Sequence, residues 1–130
     1  MLVVDASVVL DLLLRSASHA AIERRLFGKP EILICPHLLD VEVAQVLRRF
    51  AATRELSEDR GRQALDDLVA LPLARFPHEP LLPRVWQMRH NVTAYDAVYI
   101  ALAESLEIPL VTRDTKLAAA VGHDADVELI

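Results

Sequence analysis

Residues 93–104 read TAYDAVYIALAE, in which a single carboxylate precedes a long apolar run. Seven apolar residues follow one another from Ala97 to Ala103, in a segment rich enough in alanine to be helical. A helix that is apolar on every face is a buried helix. At helical spacing Asp96 shares a face with Tyr99 and Ile100, so its carboxylate is expected to face the interior, where an unpaired charge is costly.

A helix cap is the simplest alternative explanation of this acid. Thr93 and Asp96 have the spacing of a capping box, in which Thr93 is the N-cap and Asp96 the acid three residues later. Backbone N–H groups and the helix dipole would then stabilise the carboxylate. Whether Asp96 is only a cap depends on where the other acids of the chain lie.

The rest of the chain alternates short apolar runs with amphipathic segments. Strands are predicted at residues 2–4, 32–35, 73–76, 110–112 and 127–130. Helices are predicted at residues 6–15, 18–27, 37–52, 57–71, 79–90, 93–104 and 115–121. This alternation indicates an α/β fold with a mostly parallel sheet and helices on both faces. No linker divides residues 1–130, so we expect one domain.

Composition and charge exclude several classes of protein. The chain has 130 residues, of which 53% are hydrophobic and only three are glycine, so long disorder is not expected. Cys35 is the only cysteine, which excludes a disulfide framework and favours a cytoplasmic location. The sequence shows no leader-like start and no apolar run long enough for a membrane span. A net charge of −5 argues against broad coating of nucleic acid.

Three further acids occupy informative positions. Asp5 and Asp114 come at the carboxyl ends of predicted strands, where ligands bind in open parallel sheets. Glu42 lies at the margin of the apolar stripe of the third helix. Each has an ordinary alternative, since Asp5 and Asp114 can be N-caps and Glu42 can be a solvated acid. If all four acids converge, their mutual repulsion requires a counter-charge, and a hard divalent cation such as Mg²⁺ or Mn²⁺ prefers oxygen ligands.

Histidine offers no rival metal site. The five histidines form no pair at the spacing that metal sites use; they are His19, His37, His78, His90 and His123. We interpret them as surface or packing residues.

The four acids lie in motifs that resemble the PIN-domain family, and most of all the VapC-type toxins of type II toxin–antitoxin modules. The motifs are Val4-Asp5-Ala6-Ser7, Pro36 with Glu42, Thr93-Ala94-Tyr95-Asp96-Ala97 and Val111-Thr112-Arg113-Asp114. The resemblance spans essentially the whole chain. It implies a compact α/β ribonuclease with a parallel sheet of about five strands. It also implies Mg²⁺ or Mn²⁺ bound through acids matching Asp5, Glu42, Asp96 and Asp114, an RNA substrate and a cognate antitoxin that inhibits the enzyme.

Within that resemblance we assign provisional roles to the site residues. Asp5 and Asp96 are expected to ligate the metal directly, while Glu42 and Asp114 complete a second site or hold metal-bound waters. Ser7 and Thr112 supply hydroxyls that orient waters or acids, with capping or turn roles as the alternative. Several neighbouring residues are expected to have other roles: Asp11 and Asp40 lie at the surface or behind the site, and Tyr95 and Tyr99 pack, with stacking on bases as the alternative.

Rival functions fit the sequence less well. A phosphoreceiver domain would carry an acceptor aspartate near residue 55, where the sequence reads FAATRELS, residues 50–57. A haloacid-dehalogenase-type phosphatase would carry aspartate where Ser7 stands, and dinucleotide binding would need a glycine-rich loop. A non-catalytic interaction module, with the acids as helix caps, is the remaining alternative.

The apolar content also predicts partners. Leu12, Leu13 and Leu14, together with the stripe of the third helix, offer more apolar surface than a thin sheet covers, unless these leucines fill the core. We therefore expect a homodimer. Separately, we expect a groove for an apolar antitoxin segment, with a basic antitoxin side chain reaching the acids.

Overall fold

The computed structural model describes residues 1–130 and contains five strands and seven α-helices. The strands are β1 (Leu2–Val4), β2 (Leu33–Pro36), β3 (Leu73–Phe76), β4 (Leu110–Thr112) and β5 (Val127–Leu129). The helices are α1 (Ala6–Leu13), α2 (His19–Phe27), α3 (Leu38–Ala52), α4 (Glu58–Ala70), α5 (Leu82–Gln87), α6 (Ala94–Leu106) and α7 (Thr115–Ala118). A 3₁₀ turn at Glu79–Leu81 leads into α5. No helix is both long and apolar enough to cross a bilayer.

The five strands form one parallel sheet in the order β3-β2-β1-β4-β5. The central strand β1 pairs with β2 on one side and with β4 on the other, and Val3 lies opposite both Ile34 and Leu110. The chain therefore reverses its direction across the sheet between β3 and β4. In open parallel sheets the crevice outside the carboxyl ends of the strands, where the strand order reverses, is the place for a ligand. Here that place lies between β1 and β4.

The helices form two groups on opposite faces of the sheet. Helices α1 to α4 contact one another, and α6 packs against α5 as well as against β1, β2 and β4. Connections between parallel strands are right-handed, so the reversal between β3 and β4 places α5 and α6 on the face opposite α1–α4. The predicted parallel sheet with helices on both faces is confirmed.

The main differences from the predicted elements are shorter helices. The predicted helix at 79–90 is a 3₁₀ turn followed by the short α5, because Pro83 lacks the backbone N–H that would bond the carbonyl of Glu79 in a continuous helix. Helix α1 ends at Leu13, and Arg15 adopts a left-handed conformation with φ of 51°. Helix α7 ends at Ala118, three residues before the predicted end at 121.

The core confirms one burial prediction and corrects another. All seven residues from Ala97 to Ala103 are buried, as expected of a helix that is apolar all round. Leu12 and Leu13, however, are buried in the chain's own core, and Leu14 packs against it. The prediction that these leucines form an exposed patch was wrong, because α1 is covered by α2, α3 and α4.

Candidate active site

A cleft of about 200 Å³ opens at the carboxyl ends of β1 and β4, and all four predicted acids line it. Its complete lining is Asp5, Ala6, Ser7, Leu10, Glu42, Val46, Asp96, Tyr99, Asp114 and Leu117. The four carboxylates come from four different places in the fold: the ends of β1 and β4, the second turn of α3 and the first turn of α6. The fold therefore brings together acids that are as much as 109 residues apart in sequence (114 − 5 = 109).

Asp5 is the most buried of the four acids, with 5% of its surface exposed. It directly follows β1 and is the N-cap of α1, where one carboxylate oxygen accepts the backbone N–H of Val8. The same oxygen accepts the Ser7 hydroxyl at 2.6 Å, and the other oxygen accepts the Thr112 hydroxyl. Burial raises the pKa of Asp5, although these three hydrogen bonds oppose that effect.

The two hydroxyl groups that hold Asp5 are themselves fixed by the backbone that follows β4. The Ser7 hydroxyl accepts the N–H of Arg113 at 3.0 Å, and the Thr112 hydroxyl accepts the N–H of Asp114 at 2.9 Å. Each hydroxyl thus has its oxygen occupied by a backbone donor and its proton directed at Asp5. Ser7 and Thr112 therefore orient an acid, which was one of the two roles expected of them.

Asp96 differs from Asp5 in having no protein donor for its carboxylate. Thr93 is the N-cap of α6, and its hydroxyl accepts the N–H of Asp96, but the Asp96 side chain makes no hydrogen bond in return. Only half of the predicted capping box is formed. Burial raises the pKa of Asp96, and the nearby charges of Asp114 and Asp5 raise it further.

Asp114 combines a capping role with a place in the cleft. It is the N-cap of α7, and its Oδ1 accepts the backbone N–H groups of Lys116 and Leu117. Its Oδ2 accepts no hydrogen bond from the protein, so one oxygen of the carboxylate is free for a ligand. Asp5 and Asp114 are therefore N-caps, as the alternative interpretation expected, and both also line the cleft.

Glu42 is half-buried, and its Oε1 accepts the hydroxyl proton of Tyr99. Burial raises the pKa of Glu42, and the charges of Asp5 and Asp96 add to this effect, while the Tyr99 hydrogen bond opposes it. Burial and the adjacent Glu42 also raise the pKa of Tyr99, so the phenol stays protonated as a donor.

The two tyrosines of α6 differ in their surroundings. Tyr99 packs as predicted, with 2% of its surface exposed, but its polar contact with Glu42 was missed. The available signal was its spacing of three residues from Asp96, which puts both side chains on one helical face. Tyr95 was expected to pack, and this prediction was wrong, because Tyr95 is 64% exposed.

The two further acids expected near the site, Asp11 and Asp40, have basic partners, whereas the four acids in the cleft have none. Asp11 pairs with Arg113, and Asp40 forms two hydrogen bonds with Arg75. Neither acid lines the cleft, in agreement with the roles expected of them. None of the ion pairs in the structure involves Asp5, Glu42, Asp96 or Asp114. The cleft is therefore a concentration of negative charge without a protein counter-charge.

The donor set fits a hard divalent cation held partly by water. The cleft offers carboxylate and hydroxyl oxygens and no histidine or cysteine, which suits Mg²⁺ or Mn²⁺. No three His, Cys, Asp or Glu side chains are grouped closely enough to ligate one ion together. Because Mg²⁺ keeps several waters and commonly takes only one or two carboxylates, direct ligation by Asp5 and Asp96 alone remains compatible with this arrangement.

Comparison with known proteins agrees with the fold and with the motifs. Residues 2–122 match the model of the PIN domain. A relative from Mycobacterium tuberculosis named ribonuclease VapC1 is 47% identical over 129 residues, which cover 98% of this chain and 96% of the relative.

Two solved structures share the fold at low identity. The Mycobacterium tuberculosis toxin VapC20, described as cleaving the sarcin-ricin loop, superposes with a TM-score of 0.71 at 16% identity, covering 92% of this chain and 94% of that one. A chain from a toxin–antitoxin complex of Klebsiella pneumoniae superposes with a TM-score of 0.64 at 19% identity, covering 92% and 91%. With the family model matching almost the whole length and a relative at nearly half identity, this chain is a member of the PIN-domain family, in its VapC branch.

Proposed function

We propose that this protein is a metal-dependent ribonuclease toxin of a type II toxin–antitoxin module. It would hydrolyse RNA phosphodiester bonds at Asp5, Glu42, Asp96 and Asp114 with Mg²⁺ or Mn²⁺, in the cytoplasm. The observation that carries the proposal is the set of four carboxylates in one cleft without a protein counter-charge. The relative named ribonuclease VapC1 supports the choice of RNA as the substrate.

The four acids of the cleft differ in how firmly the protein fixes their carboxylates, and this difference suggests separate roles in metal binding. Bound Mg²⁺ or Mn²⁺ would supply Lewis-acid chemistry for phosphodiester hydrolysis. Asp5, fixed by two hydroxyls and a backbone N–H, provides a rigid ligand, and Asp96 provides a carboxylate with no competing donor. The free Oδ2 of Asp114 and the Glu42 carboxylate would complete a second ion site or hold metal-bound water.

A non-catalytic interaction module accounts for only part of this arrangement. Asp5 and Asp114 do cap helices, as that alternative requires. Asp96 caps nothing with its side chain, and Glu42 lies within α3, away from either helix end. Burial raises the pKa values of Glu42 and Asp96, so their ionised forms destabilise the fold. A module that used acids only as helix caps would have no reason to bear this cost.

An antitoxin is the partner that this proposal requires, and the similarity in fold to a chain from a toxin–antitoxin complex supports it. A basic antitoxin side chain reaching the cleft would relieve the repulsion among the acids, as a metal ion would.

A homodimer remains part of the proposal, although the leucine argument for it no longer holds. Exposed apolar side chains lie one helical turn apart at Leu82 and Trp86 on α5, and again at Leu65 and Val69 on α4. Burial of either pair by a second copy would remove apolar surface from water.

The decisive experiment measures cleavage of a mixed RNA substrate by the purified protein with and without EDTA. We expect EDTA to abolish cleavage and added Mg²⁺ or Mn²⁺ to restore it. Asp96→Asn should be inactive under all conditions, whereas Asp66→Asn, on the exposed face of α4, should match the wild type. Cleavage that survives EDTA, or an active Asp96→Asn protein, would contradict the metal site.

A further inference from the structure

The Tyr99 hydroxyl is the single protein group that orients the Glu42 side chain. Glu42 makes no ion pair, and its one hydrogen bond is the one that it accepts from Tyr99. The two residues lie on helices of opposite faces, α3 and α6, so the contact joins the two groups of helices at the mouth of the cleft. A glutamate has several rotatable side-chain bonds, and without a fixed partner its carboxylate would sample many positions.

The position of the Tyr99 side chain is itself fixed by packing in the core. Its ring is buried in the core, with 2% of the residue exposed. Its spacing of three residues from Asp96 places the phenol and the Asp96 carboxylate on the same face of one rigid helix. Any position that Tyr99 imposes on Glu42 is therefore defined relative to Asp96.

We propose that Tyr99 is a positioning residue, whose hydroxyl fixes the Glu42 carboxylate relative to Asp96 for ion binding in the cleft. This inference rests on the proposed function, and it adds a residue that acts through Glu42. Three of the four acids are then oriented by identifiable donors: Ser7 and Thr112 hold Asp5, the N-terminus of α7 holds Asp114, and Tyr99 holds Glu42. Groups that orient metal ligands from behind are commonly needed for full metal affinity and activity.

Tyr99→Phe tests the proposal, because it keeps the ring and removes only the hydroxyl. We expect Mn²⁺ titrated into the RNA-free protein, followed by electron paramagnetic resonance, to bind about tenfold more weakly. The kcat for RNA cleavage should fall by about the same factor, with KM for RNA nearly unchanged. The matched control is Tyr95→Phe on the same helix, whose exposed ring should leave both measurements at the wild-type level.

A double-mutant cycle with Glu42→Ala separates positioning from a general effect on the core. If Tyr99 acts through Glu42, adding Tyr99→Phe to Glu42→Ala should weaken Mn²⁺ binding no further. Equal losses in both backgrounds, or a Tyr99→Phe protein with wild-type Mn²⁺ affinity, would overturn the positioning role and leave the metal-dependent function standing. A wild-type protein that binds no Mn²⁺ would overturn the proposed function and this inference together.

Discussion

The Thr112 side chain connects two acids of the cleft, since its hydroxyl donates to the Asp5 carboxylate and accepts the backbone N–H of Asp114. Thr112 is completely buried, at the end of β4, and Asp5 follows the neighbouring strand β1. One short side chain therefore fixes the distance between the two strand ends at which the metal ligands are proposed. Ser7 makes the corresponding connection on the other side of the Asp5 carboxylate, by accepting the N–H of Arg113.

Replacing Thr112 with valine should damage both the site and the fold. Valine keeps the shape but leaves the partly buried N–H of Asp114 without its protein partner and removes one donor from Asp5. We expect a loss of about 1–3 kcal/mol in the free energy of unfolding and a fall of about 10- to 100-fold in RNA cleavage. Urea denaturation and a cleavage assay measure the two effects. Thr115→Val, at an exposed position in α7, is the control, and a fully active Thr112→Val protein would refute the role of the hydroxyl.

The ion pair between Arg84 and Glu104 should make stability fall at acid pH. Hydrogen bonds from the Arg84 guanidinium lower the pKa of Glu104, and the pair joins α5 to α6. A carboxyl whose folded pKa is lowered stabilises the fold above its unfolded pKa, and this contribution is lost as the pH falls through the folded value. Arg84→Met should therefore lower stability by about 1 kcal/mol at pH 7 and by much less near pH 3.

Arg62→Met provides the comparison for Arg84→Met. Arg62 forms longer, exposed pairs with Asp59 and Asp66, at 3.5 and 3.9 Å. Such surface pairs contribute little, so we expect a change near zero at either pH. Thermal denaturation of both variants at the two pH values measures the difference. Equal losses of stability in the two variants would show that the Arg84–Glu104 pair contributes no more than an exposed surface pair.

Glycine at position 107 should stabilise the protein. Glu107 ends α6 in a left-handed conformation, with φ of 54°, which a glycine adopts without steric cost. A negative charge at a helix C-terminus is also unfavourable. We expect Glu107→Gly to raise the free energy of unfolding by about 0.5–1 kcal/mol. The control Gln63→Gly, in the middle of α4, should lower the free energy of unfolding by a similar amount. A loss of stability in both variants would contradict the role of the left-handed conformation at Glu107.

The parallel sheet and the meeting of two of the four cleft acids could be predicted from the sequence for a physical reason, whereas Glu42 and Asp96 joined the predicted site only through the family resemblance. Parallel strands bring their carboxyl ends to one edge, so Asp5 and Asp114 could be placed together from strand positions alone. The buried α6 could be predicted because an apolar run longer than one turn covers every face of a helix. Both inferences depend on local pattern and on general rules of topology.

The contacts that orient the acids could not be predicted in the same way. The bonds from Thr112 to Asp5 and from Tyr99 to Glu42 join residues 107 and 57 positions apart, and no periodicity specifies such pairs. The sequence left open whether Leu12 and Leu13 fill the core, for a related reason. An apolar face shows that a helix must be covered, but not whether its own chain or a second copy covers it.

Asp96→Asn should stabilise the metal-free protein and reduce its stabilisation by Mn²⁺. Because burial and the charges of Asp114 and Asp5 raise the pKa of Asp96, ionisation of this group destabilises the metal-free fold. Stability is therefore lost as the pH rises from the ordinary carboxyl pKa of about 4 through the raised folded value. Asparagine carries no charge, and the Asp96 carboxylate accepts no hydrogen bond that would be lost. The metal-free variant should thus melt above the wild type at pH 7, and the two melting temperatures should converge at acid pH.

Millimolar Mn²⁺ should raise the melting temperature of the wild type much more than that of the variant, since the ion binds only the native site. Asp66→Asn should respond to Mn²⁺ like the wild type. A variant that melts below the wild type without metal, or gains as much from Mn²⁺, would show that Asp96 neither bears unfavourable charge nor holds the ion.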